Sequence, residues 1–218
     1  MRRLDPCATI GAVTTPAPVV RPMQTHDAES AARLLGGVFA HDPVFAALLG
    51  GDPSSRVEPA VALYRVELSR ADPGSVDVAE DPDGTFLGVG LWQSPREHPR
   101  LLTELLGLPR IVGALGLRGT LRGARHDLAV RRTRPPGDLW YLSSIAVSDA
   151  ARGRGVGGLL LRTRLATIDA HELPAALEST TAASRRLYER HGFEALARVR
   201  SLPGTSSTMM LRPAAHTP

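Results

Sequence analysis

The chain contains no lysine. All 26 of its basic residues are arginine, set against 22 aspartates and glutamates, for a net charge of +4. Without lysine there is no internal aldimine for pyridoxal phosphate, no Schiff-base aldolase chemistry and no phosphate-gripping lysine of a Walker A loop. Cysteine is almost as scarce. Cys7 stands alone, which excludes an intramolecular disulfide and any cysteine-rich zinc site and fits a reducing compartment. No run of about 18 uncharged apolar residues occurs, so no segment reads as a membrane span. Met1-Arg2-Arg3 is followed by Asp5, Pro6, Pro16 and Pro18, which interrupt the continuous apolar core of a secretion signal. A cytoplasmic location is therefore expected, with residues 1–17 as a flexible leader. Neither H-E-x-x-H nor G-x-S-x-G is present, so histidine-based and serine-based nucleophilic sites have no support. No metal is expected.

What the chain does have is enough apolar material for one core. At 218 residues and 43% hydrophobic content it can bury roughly 70% of its unfolded surface, which favours a single domain over residues 18–218. Its charge is unevenly spread: residues 1–94 carry a net −5, residues 95–134 a net +6 and residues 135–218 a net +3. The first part would suit a cationic ligand and the remainder an anionic one. The middle stretch, about 96–134, reads as a basic helical insert with glycine interruptions, helices being expected at 101–106, 111–117 and 121–132. No aromatic residue interleaves with its arginines to stack bases, so no nucleic-acid partner is expected, and no membrane partner either.

The rest of the chain reads as a mixed α/β protein. Thr25 ahead of Asp27, Ala28 and Glu29 has the form of a helix N-cap, and the helix should run to about Phe39 before His41-Asp42-Pro43 breaks it. Short and long helices follow at 44–49 and 56–70. Strands at 75–79 and 85–93 flank the turn residues Asp81-Pro82-Asp83-Gly84. Trp140 to Val147 is near-continuously apolar, as in a strand buried on both faces. Then come a glycine-rich turn, a helix at 157–170, a short strand at 175–177, a helix at 184–191 and a closing hairpin of 193–202 with 208–211.

The turn is Arg152-Gly153-Arg154-Gly155-Val156-Gly157-Gly158. Placed between a buried strand and a helix, its free amides and the helix dipole behind them would cradle a pyrophosphate. The same letters satisfy G-x-G-x-x-G, with Glu178 lying 20 residues beyond Gly158, so an NAD-dependent dinucleotide enzyme must be weighed. Three features oppose it. Ser148 to Arg152 separate strand from glycine, only 60 residues follow Gly158, and no earlier segment supplies parallel β-α-β units.

The competing pattern is R-x-x-G-x-G from Arg152 to Gly157, followed by Tyr188-Glu189-Arg190-His191-Gly192-Phe193. With these residues the chain resembles the GCN5-related N-acetyltransferase (GNAT) superfamily, and from Trp140 to about Leu211 it is similar to the puromycin N-acetyltransferase type. Leu177-Glu178-Ser179-Thr180 and the hairpin ending Leu91-Trp92 before Pro95 share that likeness, which is weak in the basic insert. The resemblance implies a mostly antiparallel, splayed central sheet flanked by helices and an enzyme moving an acetyl group from acetyl-CoA to the primary amine of a small molecule. A homodimer is left open. So is a non-catalytic acyl-CoA-binding or regulatory relative that keeps the glycine turn alone.

By the same resemblance, the strand edge at Ile145, Ala146 and Val147 would bond the pantetheine arm, with an amide near Ala146 stabilising the oxyanion, a contribution often of about 3 kcal/mol. Arg152, Gly153, Arg154, Gly155, Val156, Gly157 and Gly158 would hold the pyrophosphate. Tyr188 corresponds to the proton donor for the departing thiolate, and Glu178 is the candidate acceptor of the amine's proton. Thr181 and Ser184 stand where the family has asparagine and are assigned to cofactor contact. Asp42, Phe45, Trp92 and Tyr141 are the candidates for the acceptor pocket, beside Phe39 and Tyr64.

Overall fold

The computed structural model describes residues 17–72, 74–95 and 101–215, the side chains of 101–106 excepted. The expected leader, apart from its last residue, Cys7 and the first residues of the insert lie outside the described residues. Thirteen longer elements follow in chain order: β1 Val19–Pro22, α1 Ala28–Phe39, α2 Pro43–Leu49, α3 Pro53–Leu68, β2 Val76–Glu80, β3 Phe86–Gln93, α4 Leu101–Thr133, β4 Trp140–Val147, α5 Val156–Ala170, β5 Ala175–Ser179, α6 Ala182–Glu189, β6 Glu194–Val199 and β7 Ser207–Arg212. The strands form one seven-stranded sheet in the order β1-β2-β3-β4-β5-β7-β6. All neighbours are antiparallel except β4 and β5. A single parallel pair cannot make a doubly wound sheet, so the topology removes the dinucleotide-binding alternative.

Helices cover both faces of the sheet. Ala31, Ala32 and Leu35 of α1 with Val61, Tyr64 and Leu68 of α3 pack on Val76, Val89, Leu91 and Ala146. Leu161, Leu165 and Ile168 of α5 pack on Leu142, Ala175 and Leu177. The residues next to these in β4 and β5, Tyr141 and Ala176, point the other way and meet Val130 of α4 with Met209. The basic insert therefore lies on the face opposite α5. Gly36 is required where α1 crosses α3, since a Cβ there would stand 2.4 Å from a Val61 methyl. A buried, bidentate ion pair from Arg164 to Asp77, at 2.7 Å on both oxygens, ties α5 to β2.

Two local expectations are corrected. Thr25 is not the cap of α1: Gln24 to Asp27 form a short 3-10 turn, in which the Asp27 carboxylate turns back to accept the Gln24 amide at 2.8 Å and is gripped by Arg21. The insert is one helical run with a single break rather than three helices. Glycine in a helix costs about 1 kcal/mol against alanine, too little to end a helix held by neighbours. Only Gly116, at φ 66°, leaves the helical region. Among the described residues no single helix is long and apolar enough to cross a membrane.

Candidate active site

The site begins where the parallel pair parts. β4 and β5 are registered only from Trp140 with Ala175 to Leu142 with Leu177. On the other side of β4, Leu91 faces Ser144 while Trp92 faces Leu142, so Ser143 is an extra residue in β4, a bulge that bends the strand away. Beyond it Ile145 to Val147 have lost their β5 neighbour. Ser148 donates its amide to Leu87 at 2.8 Å, and antiparallel alternation then spends the Ala146 amide on β3 as well. The amides of Ile145 and Val147 are the ones that face the gap. The Ala146 amide itself is spent on β3, so the amides near it that are left for an oxyanion contact are those of Ile145 and Val147.

The glycine turn lies at one end of this gap. Gly153 and Gly155 have φ of 78° and 77°, a left-handed geometry that a side chain resists, although a Cβ at either would meet nothing within 4 Å. Leu159 is the first residue of α5 to donate back into the turn, at 2.9 Å to Gly155. Among the described residues the amides of Gly153, Gly155, Val156, Gly157 and Gly158 have no acceptor, and they converge at the positive end of the α5 dipole. This donor set fits a pyrophosphate. The arginine side chains are another matter. Arg154 is held by both oxygens of Asp81 in the β2–β3 turn at 2.6 and 3.0 Å and is not part of the cleft wall, so its assignment as a phosphate contact is corrected. Arg152 lines the cleft, highly exposed and paired with Asp149 at 2.8 Å.

A cleft of about 1970 Å³ connects the turn, the splayed strands and the inner ends of α2, α3, α4 and α6. Tyr188, in the last turn of α6, is 6% exposed, and its ring meets Phe193 edge-on at 6.0 Å. Among the described residues its hydroxyl has no hydrogen-bond partner. Burial, reinforced by the Asp42 carboxylate, pushes its pKa well above that of an ordinary tyrosine, so it stays protonated throughout the neutral range. Glu178 sits just past the last β4–β5 pair. It accepts a hydrogen bond from the Ser207 hydroxyl and faces His126 of α4, Nε2 to Oε2, at 3.2 Å.

The seven-stranded sheet and the helices that cover it agree with the relatives found. Residues 109–195 match the family model described as "Acetyltransferase (GNAT) domain". A crystal structure from Corynebacterium glutamicum, titled histone acetyltransferase HPA2 and related acetyltransferase, is 29% identical, covers 92% of this chain and 98% of its own, and superposes with a TM-score of 0.72. The chain carries a GNAT acetyltransferase domain. An N-acetyltransferase from Staphylococcus aureus (17% identity, 88% and 99% coverage, TM-score 0.60) and arylalkylamine N-acetyltransferase 2 from Aedes aegypti (14%, 91% and 99%, TM-score 0.63) share its fold. A domain of this family implies acetyl-CoA as donor and an acceptor substrate.

The side of the cleft away from the glycine turn is walled by α2, α3 and α4. Phe39, Phe45 and Tyr64 form an aromatic cluster with centroids 5.5 to 5.9 Å apart. The Tyr64 hydroxyl is bonded to Ser144 at 3.0 Å, joining α3 to β4 just past the bulge. Trp92 reaches the wall from within the core, and Tyr141 lies under the Arg134 guanidinium at 3.6 Å. Asp42 does line the cleft, but its Oδ1 caps α2 through the Val44 and Phe45 amides and its Oδ2 takes the Thr180 hydroxyl at 2.5 Å. It thereby clasps α2 to the β5–α6 loop. Thr181 and Ser184 also line the cleft while forming the capping box of α6. His126 and Ser143 were not legible as site residues. Ser143 carries a buried hydroxyl without a partner among the described residues, and its place at the bulge follows from strand pairing alone.

Glu67, on the α3 wall, makes the acetyltransferase's stability depend on pH. Burial pushes its carboxyl from 4.5 up to about 7, against the attraction of Arg70 and with the repulsion of Asp127. A folded-state value above the unfolded one gives a contribution that is full below 4.5 and is lost as pH rises through about 7. Glu67→Gln is therefore expected to flatten the loss of stability across that range. Urea unfolding at about pH 5 and about pH 8 checks it; an unchanged slope counts against a buried, titrating Glu67.

Proposed function

We propose that the protein transfers an acetyl group from acetyl-CoA to the primary amine of a small molecule. The observation that carries this reading is the run of amides, unpaired among the described residues, from the glycine turn along the freed edge of β4, in the cleft that Tyr188 and Glu178 also line. The turn amides from Gly153 to Gly158 would take the pyrophosphate, and those of Ile145 and Val147 the pantetheine arm. When bound, acetyl-CoA supplies a thioester activated for acyl transfer. A C–N bond forms as the C–S bond breaks. Glu178 receives the proton that leaves the amine nitrogen, and Tyr188 delivers its own to the sulfur. The likeness of Trp140 to Leu211 to the puromycin type supports a small molecule as acceptor.

Thiol release from acetyl-CoA, followed across aminonucleosides, aminoglycosides, polyamines and peptide N-termini, tests the reading. Turnover with at least one small amine is the expected result, together with thermal stabilisation by acetyl-CoA and CoA and none by NAD. Stabilisation by acetyl-CoA with silence on every amine would favour a binding module. Turnover confined to peptides would overturn the small-molecule acceptor.

A further inference from the structure

The insert α4 is the part of the chain that neither charge nor motif accounts for, yet it delivers a side chain to the reacting end of the cleft. We propose that His126 of α4 is a positioning residue for Glu178, so that the insert completes the active site. This rests on Glu178 as the proton acceptor.

Three elements converge there. His126 Nε2 lies 3.2 Å from Glu178 Oε2, and its Nδ1 lies 2.6 Å from the Ser201 hydroxyl, beyond β6. Ser207, opening β7, donates to Glu178 Oε1. His126 and Glu178 are 17% and 10% exposed, so water competes little for these contacts. Both ring nitrogens are engaged, which leaves neither to take a proton from substrate; the imidazole acts through the carboxylate. The neutral tautomer consistent with the contacts has Nε2–H donating to Glu178 and Nδ1 accepting from Ser201. Each carboxylate oxygen then holds one donor and keeps a lone pair for the amine. With both oxygens tethered, the rotations of the glutamate side chain are lost before substrate arrives.

The electrostatic surroundings explain why a donor is needed. Asp42 and Tyr141 face Glu178 from α2 and β4. Asp127 follows His126 on α4 and lies within range of Glu67 on α3, while Arg134 covers Tyr141 from the end of α4. Glu178 thus sits among further carboxylates with no arginine bonded to it among the described residues. His126 and Ser207 are its two hydrogen-bond donors there.

The test compares wild type with His126→Ala, His126→Gln, Glu178→Gln and the Glu178→Gln/His126→Ala double variant, using the best amine from the panel. His126→Ala is expected to lower kcat about 10-fold or more with the KM for acetyl-CoA unchanged. His126→Gln, whose amide can donate near the place of Nε2–H, should recover most of it. In the Glu178→Gln background, His126→Ala should add no further loss, because the pathway it serves is gone. Wild-type kcat in His126→Ala, or losses that simply multiply in the double variant, would overturn the proposal. Glu178→Gln at full activity would overturn it through the Glu178 reading while leaving acetyl transfer intact. A readout independent of turnover is the His126 ring NH signal followed by NMR at one fixed pH: Glu178→Gln should move it, since the acceptor of Nε2–H changes from a carboxylate to an amide oxygen. An unmoved signal overturns the pairing whether or not any amine reacts.

Discussion

Tyr188→Phe is expected to lower kcat by roughly 100-fold or more while leaving the fold and the KM for acetyl-CoA unchanged. The ring is buried and packs edge-on against Phe193, and phenylalanine keeps that contact. The hydroxyl bonds nothing among the described residues, so its removal breaks no internal hydrogen bond. A role in packing alone predicts no change in turnover; a role as proton donor predicts a large one. The acid is a weak one. Tyrosine near 10 delivering to a thiol near 8.5 is uphill by about 2 kcal/mol, and the surroundings here do not help the phenol. Burial and Asp42 raise its pKa, and its place in the last turn of α6 sets it at the negative end of the helix dipole. The compensation lies with the other partner. A thiolate leaving in the same water-poor cleft is raised by desolvation too, so the difference between donor and acceptor need not widen. Thiol release by the purified variant, beside its thermal unfolding, is the measurement. Wild-type turnover with an intact fold would leave Tyr188 only its packing role.

Asp77→Ala is expected to destabilise the protein by about 3–5 kcal/mol, because it strands the Arg164 guanidinium in the core. Arg164 and Asp77 have side chains 8% exposed, and Arg164 donates to both Asp77 oxygens at 2.7 Å and to the Gly74 carbonyl at 2.6 Å, beside the Trp140 ring. The Asp77 pKa is raised in spite of this pairing, since desolvation outweighs the guanidinium. The pair is thus costly to bury and costlier to break. Asp77→Leu combined with Arg164→Met should accordingly fall much nearer wild type than Asp77→Ala does. Urea unfolding of the three proteins decides the matter, and a loss below about 1 kcal/mol in Asp77→Ala would show that water or movement relieves the charge. The effect should reach the site as well. α5 carries the turn amides, so a loosened α5 is expected to raise the KM for acetyl-CoA.

Much of the fold and part of the site were legible in the order of residues, and the reasons are local. The β4 run from Trp140 to Val147 could be read because a strand buried on both faces has to be apolar throughout. The glycine turn could be read because left-handed φ at 153 and 155 selects glycine and leaves neighbouring amides without acceptors among the described residues. Tyr188 and Glu178 were named as candidates only through the resemblance to the GNAT superfamily. The insert misled because glycine was weighed as a helix breaker, although packing retains all but Gly116 in α4.

What lay beyond the sequence depends on partners distant along the chain. Arg154 looked available to a phosphate until the β2–β3 turn brought Asp81 against it. The outward amides of β4 are Ile145 and Val147 rather than Ala146, because pairing with β3 sets the alternation and the Ser143 bulge fixes where it starts. His126, one polar residue among the arginines of an amphipathic helix, acquires a meaning only when α4 is laid across the sheet beside Glu178. The absence of lysine, the positive φ of a turn and the apolarity of a buried strand are properties of residues and their nearest neighbours, so sequence alone determined them. Which donor meets which carboxylate is a property of packing, and the tertiary structure decided it.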